Sequence, residues 1–240
     1  MSLLELDGLV LRHGLLEAVQ GVSLEMAEGE VLALIGANGA GKTTLLRGIA
    51  GAHRPTSGSI VFDGVEVTRT PAHERVRAGI ALVPEGRRLF AGLTVEENLL
   101  VATSRVRRGG WDVESVLEAL PLLKPLRHRR AGTLSGGEQQ ATAIGRALVT
   151  NPRLLLIDEL SLGLSPAAVD LVYAALRSVI GDGMAVLLVD QDFTRAAGIS
   201  DRLVCMLEGR FVLEGKGSEL TRDEITRAYF GLRGHGATAA

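Results

Sequence analysis

Gly36-Ala37-Asn38-Gly39-Ala40-Gly41-Lys42-Thr43 is a glycine-rich octet ending in a lysine and a hydroxyl. It follows the apolar run Val31 to Ile35 and precedes Leu45, Leu46 and Ile49 at helical spacing, so a strand, a loop and a helix are expected in that order. Glycines let such a loop turn its backbone N–H groups toward phosphate oxygens. The helix N-terminus adds its dipole, Lys42 adds a charge, and Thr43, followed by Thr44, places a hydroxyl beside a phosphate-bound Mg²⁺. At average residue frequencies the spacing G-x-x-x-x-G-K-[ST] arises by chance about once per hundred chains of this length. A plain glycine turn that happens to carry a lysine is therefore the weaker reading.

A second apolar run, Leu154 to Ile157, ends in Asp158-Glu159. A strand of an open α/β sheet delivers such residues at its C-terminal edge, where a phosphate loop also lies. Asp158 is expected to accept a water bound to Mg²⁺, and Glu159 to orient and partly deprotonate a water attacking a γ-phosphate. Alone, the pair is an ordinary strand-end charge cluster. With the phosphate loop upstream it implies nucleotide hydrolysis.

Leu134-Ser135-Gly136-Gly137-Glu138 has capping-box spacing, with two glycines that leave the backbone of a new helix open to an anion. By itself it is a capped helix. Beside the two hydrolytic motifs it resembles the signature of ABC-type ATPases, and the resemblance spans nearly the whole chain. Pro84-Glu85-Gly86-Arg87-Arg88, Leu134 to Gln140, Asp158 to Leu164 and Val189-Asp190-Gln191-Asp192 look most like the smaller ATPase of branched-chain amino acid importers.

The resemblance implies two ATPase subunits closing on two ATP molecules. Each site would combine one chain's Gly36, Asn38, Gly39, Ala40, Gly41, Lys42, Thr43 and Thr44 with the other's Ser135, Gly136, Gly137 and Glu138. Thr43, Glu85 and Asp158 would hold Mg²⁺, and Glu159, Lys42 and Gln191 would carry the chemistry. Four residues depart from the wider family pattern. His13 stands where an aromatic residue usually stacks on adenine, Glu85 replaces a glutamine, and Gln191 replaces a switch histidine. Leu160 replaces a proline, which is expected to loosen the following turn.

Implied partners are a second ABC ATPase, either a different chain or a copy of this one, membrane-spanning permease subunits and, indirectly, a solute-binding protein. Two other functions compete. One is a regulatory ATP-binding subunit of weak intrinsic hydrolysis that completes a partner's site, suggested by His13, Glu85 and Gln191. The other is a soluble ABC-type ATPase of repair or translation, disfavoured because no tandem half or long inserted coiled coil is visible.

The elements that must position these residues belong to a glycine-rich globular chain of 240 residues, 46% apolar and 22% charged, with 30 glycines. A net charge of −2 supplies no field for nucleic acid, so none is expected as a partner. Arg105, Arg107 and Arg108, like Arg127, Arg129 and Arg130, lack interleaved aromatics and read as solvated helix ends. The longest apolar runs, Leu171 to Leu176 and Met184 to Val189, are far too short to cross a bilayer. Met1 to Gly8 carries Glu5 and Asp7 and does not read as a signal peptide, and Cys205 reads as a core residue, so the cytoplasmic face of the inner or plasma membrane is the expected location.

The expected fold is α/β: a three-layer P-loop ATPase core with an antiparallel β subdomain and an inserted helical subdomain. Residues 1–240 form one ABC-type ATPase domain, with core segments 1–85 and 135–230, a helical insertion at 86–134 and a flexible tail at 231–240. Strands are expected at Val22 to Met26, Ser59 to Phe62, Ile80 to Val83 and Ala185 to Val189, with a late hairpin through Leu203 to Leu207 and Phe211 to Glu214.

Overall fold

The computed structural model describes residues 2–104, 107–180 and 183–231. Arg105 of the first basic cluster and residues 232–240 of the expected tail lie outside the described residues.

The chain opens with a long hairpin, β1 (Ser2–His13) and β2 (Leu16–Ala27). Sequence alternation reveals only the end of β2. In β1, Leu4 and Leu6 are buried and so are Leu9 and Leu11, because the register slips between Leu6 and Leu9 around Gly8 at φ 52°. That bulge moves the buried positions from even to odd numbers and erases the period of two. There follow β3 (Val31–Ile35), α1 (Lys42–Ile49), β4 (Ser57–Phe62), β5 (Val65–Glu66), α2 (Ala72–Ala78) and β6 (Ile80–Val83).

From there to residue 153 the described residues contain no strand. They form α3 (Val95–Leu100), α4 (Val113–Ala119) and α5 (Gly136–Leu148), joined partly by 3₁₀ turns. α3 opens on a capping box: the Thr94 hydroxyl accepts the Glu97 N–H at 3.1 Å and the Glu97 carboxylate accepts the Thr94 N–H at 2.7 Å. The chain then runs through β7 (Leu154–Ile157), α6 (Pro166–Val179), β8 (Ala185–Val189), α7 (Phe193–Ala197), β9 (Arg202–Leu207), β10 (Arg210–Lys216) and α8 (Arg222–Phe230).

Two sheets result. β2-β1-β4-β5 is antiparallel, and β10-β9-β3-β8-β7-β6 is parallel except for the β10 edge. Alternation divides the second sheet between two cores. Leu32, Leu34, Leu154, Leu156, Leu187 and Val189 pack with α1 and the antiparallel sheet. Val31, Leu155, Ile157, Val186 and Leu188 pack with α3 to α6 on the other face. Burial on both faces explains why these strands read as unbroken apolar runs. Cys205 is fully buried beneath α8, and burial pushes its thiol up to about 11, as expected of an inert core cysteine.

Arg75 of α2 is also buried, and among the described residues it has no carboxylate partner. Its guanidinium donates to the Gly48 and Ile49 carbonyls at the end of α1, each at 2.8 Å, and to Thr70 O and Thr68 O. Burial pulls its pKa down to about 10. The charge complements the helix C-terminus and supplies a donor to the Ile49 carbonyl, while the Gly48 carbonyl also accepts the Gly51 N–H at 3.1 Å. Arg75→Met takes this donor from the Ile49, Thr68 and Thr70 carbonyls and is expected to cost roughly 3 kcal/mol or more, lowering Tm by about 6–12 °C in differential scanning calorimetry.

Candidate functional site

Strand order brings distant motifs together. β3, β8, β7 and β6 are successive neighbours, and their C-terminal edges lead into the phosphate loop, Asp190-Gln191, Asp158-Glu159 and Pro84-Glu85. A cleft of about 410 Å³ at this edge is lined by His13, Leu16, Ala18, Asn38, Gly39, Gly41, Lys42, Thr43, Thr44, Glu85, Glu159, Leu162 and Gln191. A depression of about 910 Å³ opens elsewhere, around Glu28, Asp201 and Lys216, and contains none of the motif residues.

The loop's glycines are dictated by both sheets. A Cβ on Gly36 (φ 150°) would meet the Met206 carbonyl of β9 at 2.2 Å, and one on Gly41 (φ 108°) would meet the Ala18 carbonyl of β2 at 2.2 Å. Ala40, buried in the loop, accepts the Gly209 N–H at 2.9 Å. Lys42 is only 5% exposed, and its Nζ donates to Gly36 O at 2.6 Å and Ala37 O at 3.0 Å. Burial lowers its pKa against the attraction of Glu159 and Asp158.

Thr43 Oγ1 donates to Asp158 Oδ1 at 2.9 Å, joining α1 to β7. Burial raises the Asp158 pKa, with the Thr43 hydrogen bond opposing it and the Glu85 charge adding to it. Glu159 lies 3.9 Å from Lys42 Nζ and accepts from Gln191 Nε2 at 2.8 Å. Burial raises its pKa too, opposed by Gln191 and Lys42 and reinforced by Asp158 and Asp190. A carboxylate with raised proton affinity suits a general base.

Leu160 corrects an expectation. Its N–H donates to Val189 O at 3.3 Å, and its side chain is buried, so the turn after the acids is tethered to β8. A proline has no N–H to make this bond.

The segment after Glu85 is constrained as well. Gly86, Arg87 and Arg88 all have positive φ (73°, 62° and 48°), and Arg146 of α5 donates to the Arg87 and Arg88 carbonyls at 2.9 and 2.7 Å. Arg87 Nη1 donates to Gln139 Oε1 at 3.1 Å. Glu85 is thereby linked to the helix that Ser135 caps.

His13 stands at the cleft mouth, its Nε2 3.0 Å from Thr44 Oγ1 and its ring centroid 4.6 Å from that of His53. Sequence reasoning missed Leu16, Ala18 and Leu162, none of which has a local signature; Leu16, paired with His13 across the hairpin, is 68% exposed. Ser135, Gly136, Gly137 and Glu138 are not brought to the cleft. They form the expected capping box, with the Ser135 N–H donating to Glu138 Oε2 at 2.7 Å.

A parallel strand, a glycine cradle and a helix, with an acid pair on a nearby strand edge, define a P-loop nucleotide-binding protein. Residues 19–161 match the ABC transporter family model, and the chain belongs to that family. It is 42% identical over 232 residues, 95% of this chain and 100% of the other, to the Pseudomonas aeruginosa high-affinity branched-chain amino acid transport ATP-binding protein BraG. Its fold is similar to a nucleotide-free ATP-binding cassette from an ABC transporter, with TM-score 0.83 and 28% identity over 95% of each chain. A dimeric post-hydrolysis ATP-binding cassette bound to ADP and Pi has TM-score 0.77 and 26% identity, covering 89% of this chain and 98% of that one. The chain is an ABC-type ATPase, and the expected fold class holds.

Proposed function

We propose that the chain is the ATP-hydrolysing motor subunit of a membrane importer for branched-chain or related amino acids, acting as a nucleotide-sandwich dimer. The observation that carries this reading is the complete acid and lysine set at one strand edge: Glu159 held by Gln191 and 3.9 Å from Lys42, with Asp158 bonded to Thr43. Similarity to a branched-chain amino acid transport ATP-binding protein supports the substrate class. A regulatory subunit would be favoured by loss of Glu159 or Lys42, and both are in place.

In this reading the loop N–H groups and Lys42 bind the phosphates, and His13 with Leu16 offers surface to the base. Thr43, Asp158 and Glu85 would hold Mg²⁺. Their donors are all oxygen, which suits a hard cation. Bound Mg²⁺ would supply neutralisation of charge on the phosphate oxygens. Glu159 takes the proton of the attacking water while Gln191 holds its carboxylate in place. Ser135 to Glu138 serve the partner's nucleotide, which is why they lie away from this chain's cleft. ATP favours the closed dimer only through contacts absent from the open one, and this segment provides them.

Residues 86–134 act as an inserted helical subdomain, and its exposed Phe90, Leu100 and Val101 offer apolar surface to permease subunits. No helix of the described residues is long and apolar enough to cross a membrane, so attachment at the cytoplasmic face would be through those subunits. A solute-binding protein would act only from the far side. Affinity purification from native membranes tests the assignment: permease subunits and a second ATPase should co-purify. Turnover in proteoliposomes should rise when a binding protein loaded with leucine, isoleucine or valine is enclosed. Recovery without permease chains, or turnover indifferent to those amino acids, overturns it.

A further inference from the structure

Asp190, at the end of β8, is fully buried and has no salt-bridge partner among the described residues. A lone buried carboxylate is costly unless donors surround it. Its Oδ1 accepts the Ser161 hydroxyl at 2.6 Å, the Gln191 N–H at 2.7 Å and the Asp192 N–H at 3.0 Å. Its Oδ2 accepts the Tyr173 hydroxyl of α6 at 3.0 Å. None of Asp190, Ser161 and Tyr173 lines the nucleotide cleft.

These bonds close a circuit around Glu159. The chain runs from Glu159 to Ser161, crosses by hydrogen bond to Asp190, continues to Gln191, and returns through Gln191 Nε2 to Glu159 Oε2 at 2.8 Å. The Leu160 N–H bond to Val189 O forms a second rung between the same two strand ends. Glu159 itself has φ 56°, a conformation disfavoured for a residue with a Cβ and kept only when the surroundings impose it. The burial that surrounds Tyr173, with Asp190 beside it, pushes its phenol pKa far up, so it remains a donor.

We infer that Asp190, Ser161 and Tyr173 are positioning residues: their network fixes the direction of the Glu159 carboxylate through the turn after it and through Gln191, and so sets turnover without touching nucleotide. The inference rests on the ATPase reading above. Ser161 is the most informative probe, because its hydroxyl joins the two halves of the circuit and the side chain is small and only partly buried.

The purified complex should be compared as wild type, Ser161→Ala, Ser161→Thr and Tyr173→Phe, with kcat, KM and the Kd of a fluorescent ATP analogue measured for each. Ser161→Ala and Tyr173→Phe should each lower kcat about tenfold, a 1.4 kcal/mol loss in the transition state, with Kd unchanged within about twofold. Ser161→Thr keeps the hydroxyl and should recover turnover to within about threefold of wild type. The decisive comparison is in the Glu159→Gln background, by single-turnover phosphate release. A residue that acts by aiming Glu159 has nothing left to aim there, so Ser161→Ala should change the residual rate less than twofold. An equal tenfold drop in both backgrounds, unchanged kcat in Ser161→Ala, or a threonine variant no better than alanine overturns the inference. A wild-type complex that does not turn over ATP instead overturns the ATPase reading on which it rests.

Discussion

Glu159→Gln is expected to lower ATP turnover by about 10²–10⁴-fold while leaving nucleotide affinity equal or tighter. The amide keeps the side-chain volume, and its carbonyl can still accept from Gln191 Nε2, so the 2.8 Å contact and the surrounding turn survive. The basic oxygen that would take the water's proton is lost. One negative charge also leaves the neighbourhood of Lys42, 3.9 Å away, and of the bound phosphates, which removes a repulsion and favours the nucleotide-bound state. Single-turnover phosphate release, paired with equilibrium nucleotide binding on the native complex, measures both effects. Normal turnover in this variant would place hydrolysis at the partner's site and leave this chain a regulatory role.

Lys42→Ala is expected to act on binding. Lys42 is 5% exposed, and its ammonium bridges the carbonyls of Gly36 and Ala37 at the base of the loop, so it is already aimed into the cradle. Each charge-assisted hydrogen bond to a phosphate oxygen is worth about 1.5–3 kcal/mol. Two such bonds correspond to roughly 10²–10⁴-fold in Kd. Arginine should not rescue the loss, because a planar fork cannot enter a pocket shaped for a point charge. Calorimetric titration with MgATP reads the change, and circular dichroism checks that the variant is folded; a Kd within threefold of wild type would remove Lys42 from the phosphate site.

The phosphate loop, its companion acids and the signature segment were legible because each is a short contiguous stretch whose residue types carry their own reason. Most strands were legible for the same cause: Val31–Ile35 and Ala185–Val189 are buried on both faces and need only apolar runs. β1 was not, since the bulge at Gly8 shifts its buried side chains out of phase. Leu16 was missed because an exposed leucine at a hairpin tip has no local signature. Leu160 was misjudged because its backbone bond reaches a strand 29 residues further along.

The amino-acid sequence by itself determined the chemistry available: a cradle for phosphate, a cation, two carboxylates and a hydroxyl, each specified by residue type within a few positions. Tertiary structure alone decided which of them meet. Thr43 finds Asp158 across 115 residues and Gln191 finds Glu159 across 32, because β3, β8, β7 and β6 lie side by side. It decided, too, that Gly36 and Gly41 have carbonyls of two different sheets against them, and that Asp190 gathers donors from three segments. Residue type governs what a group can do locally. Partners so distant in the chain are chosen by strand order, which only burial of the whole sheet between its two cores establishes.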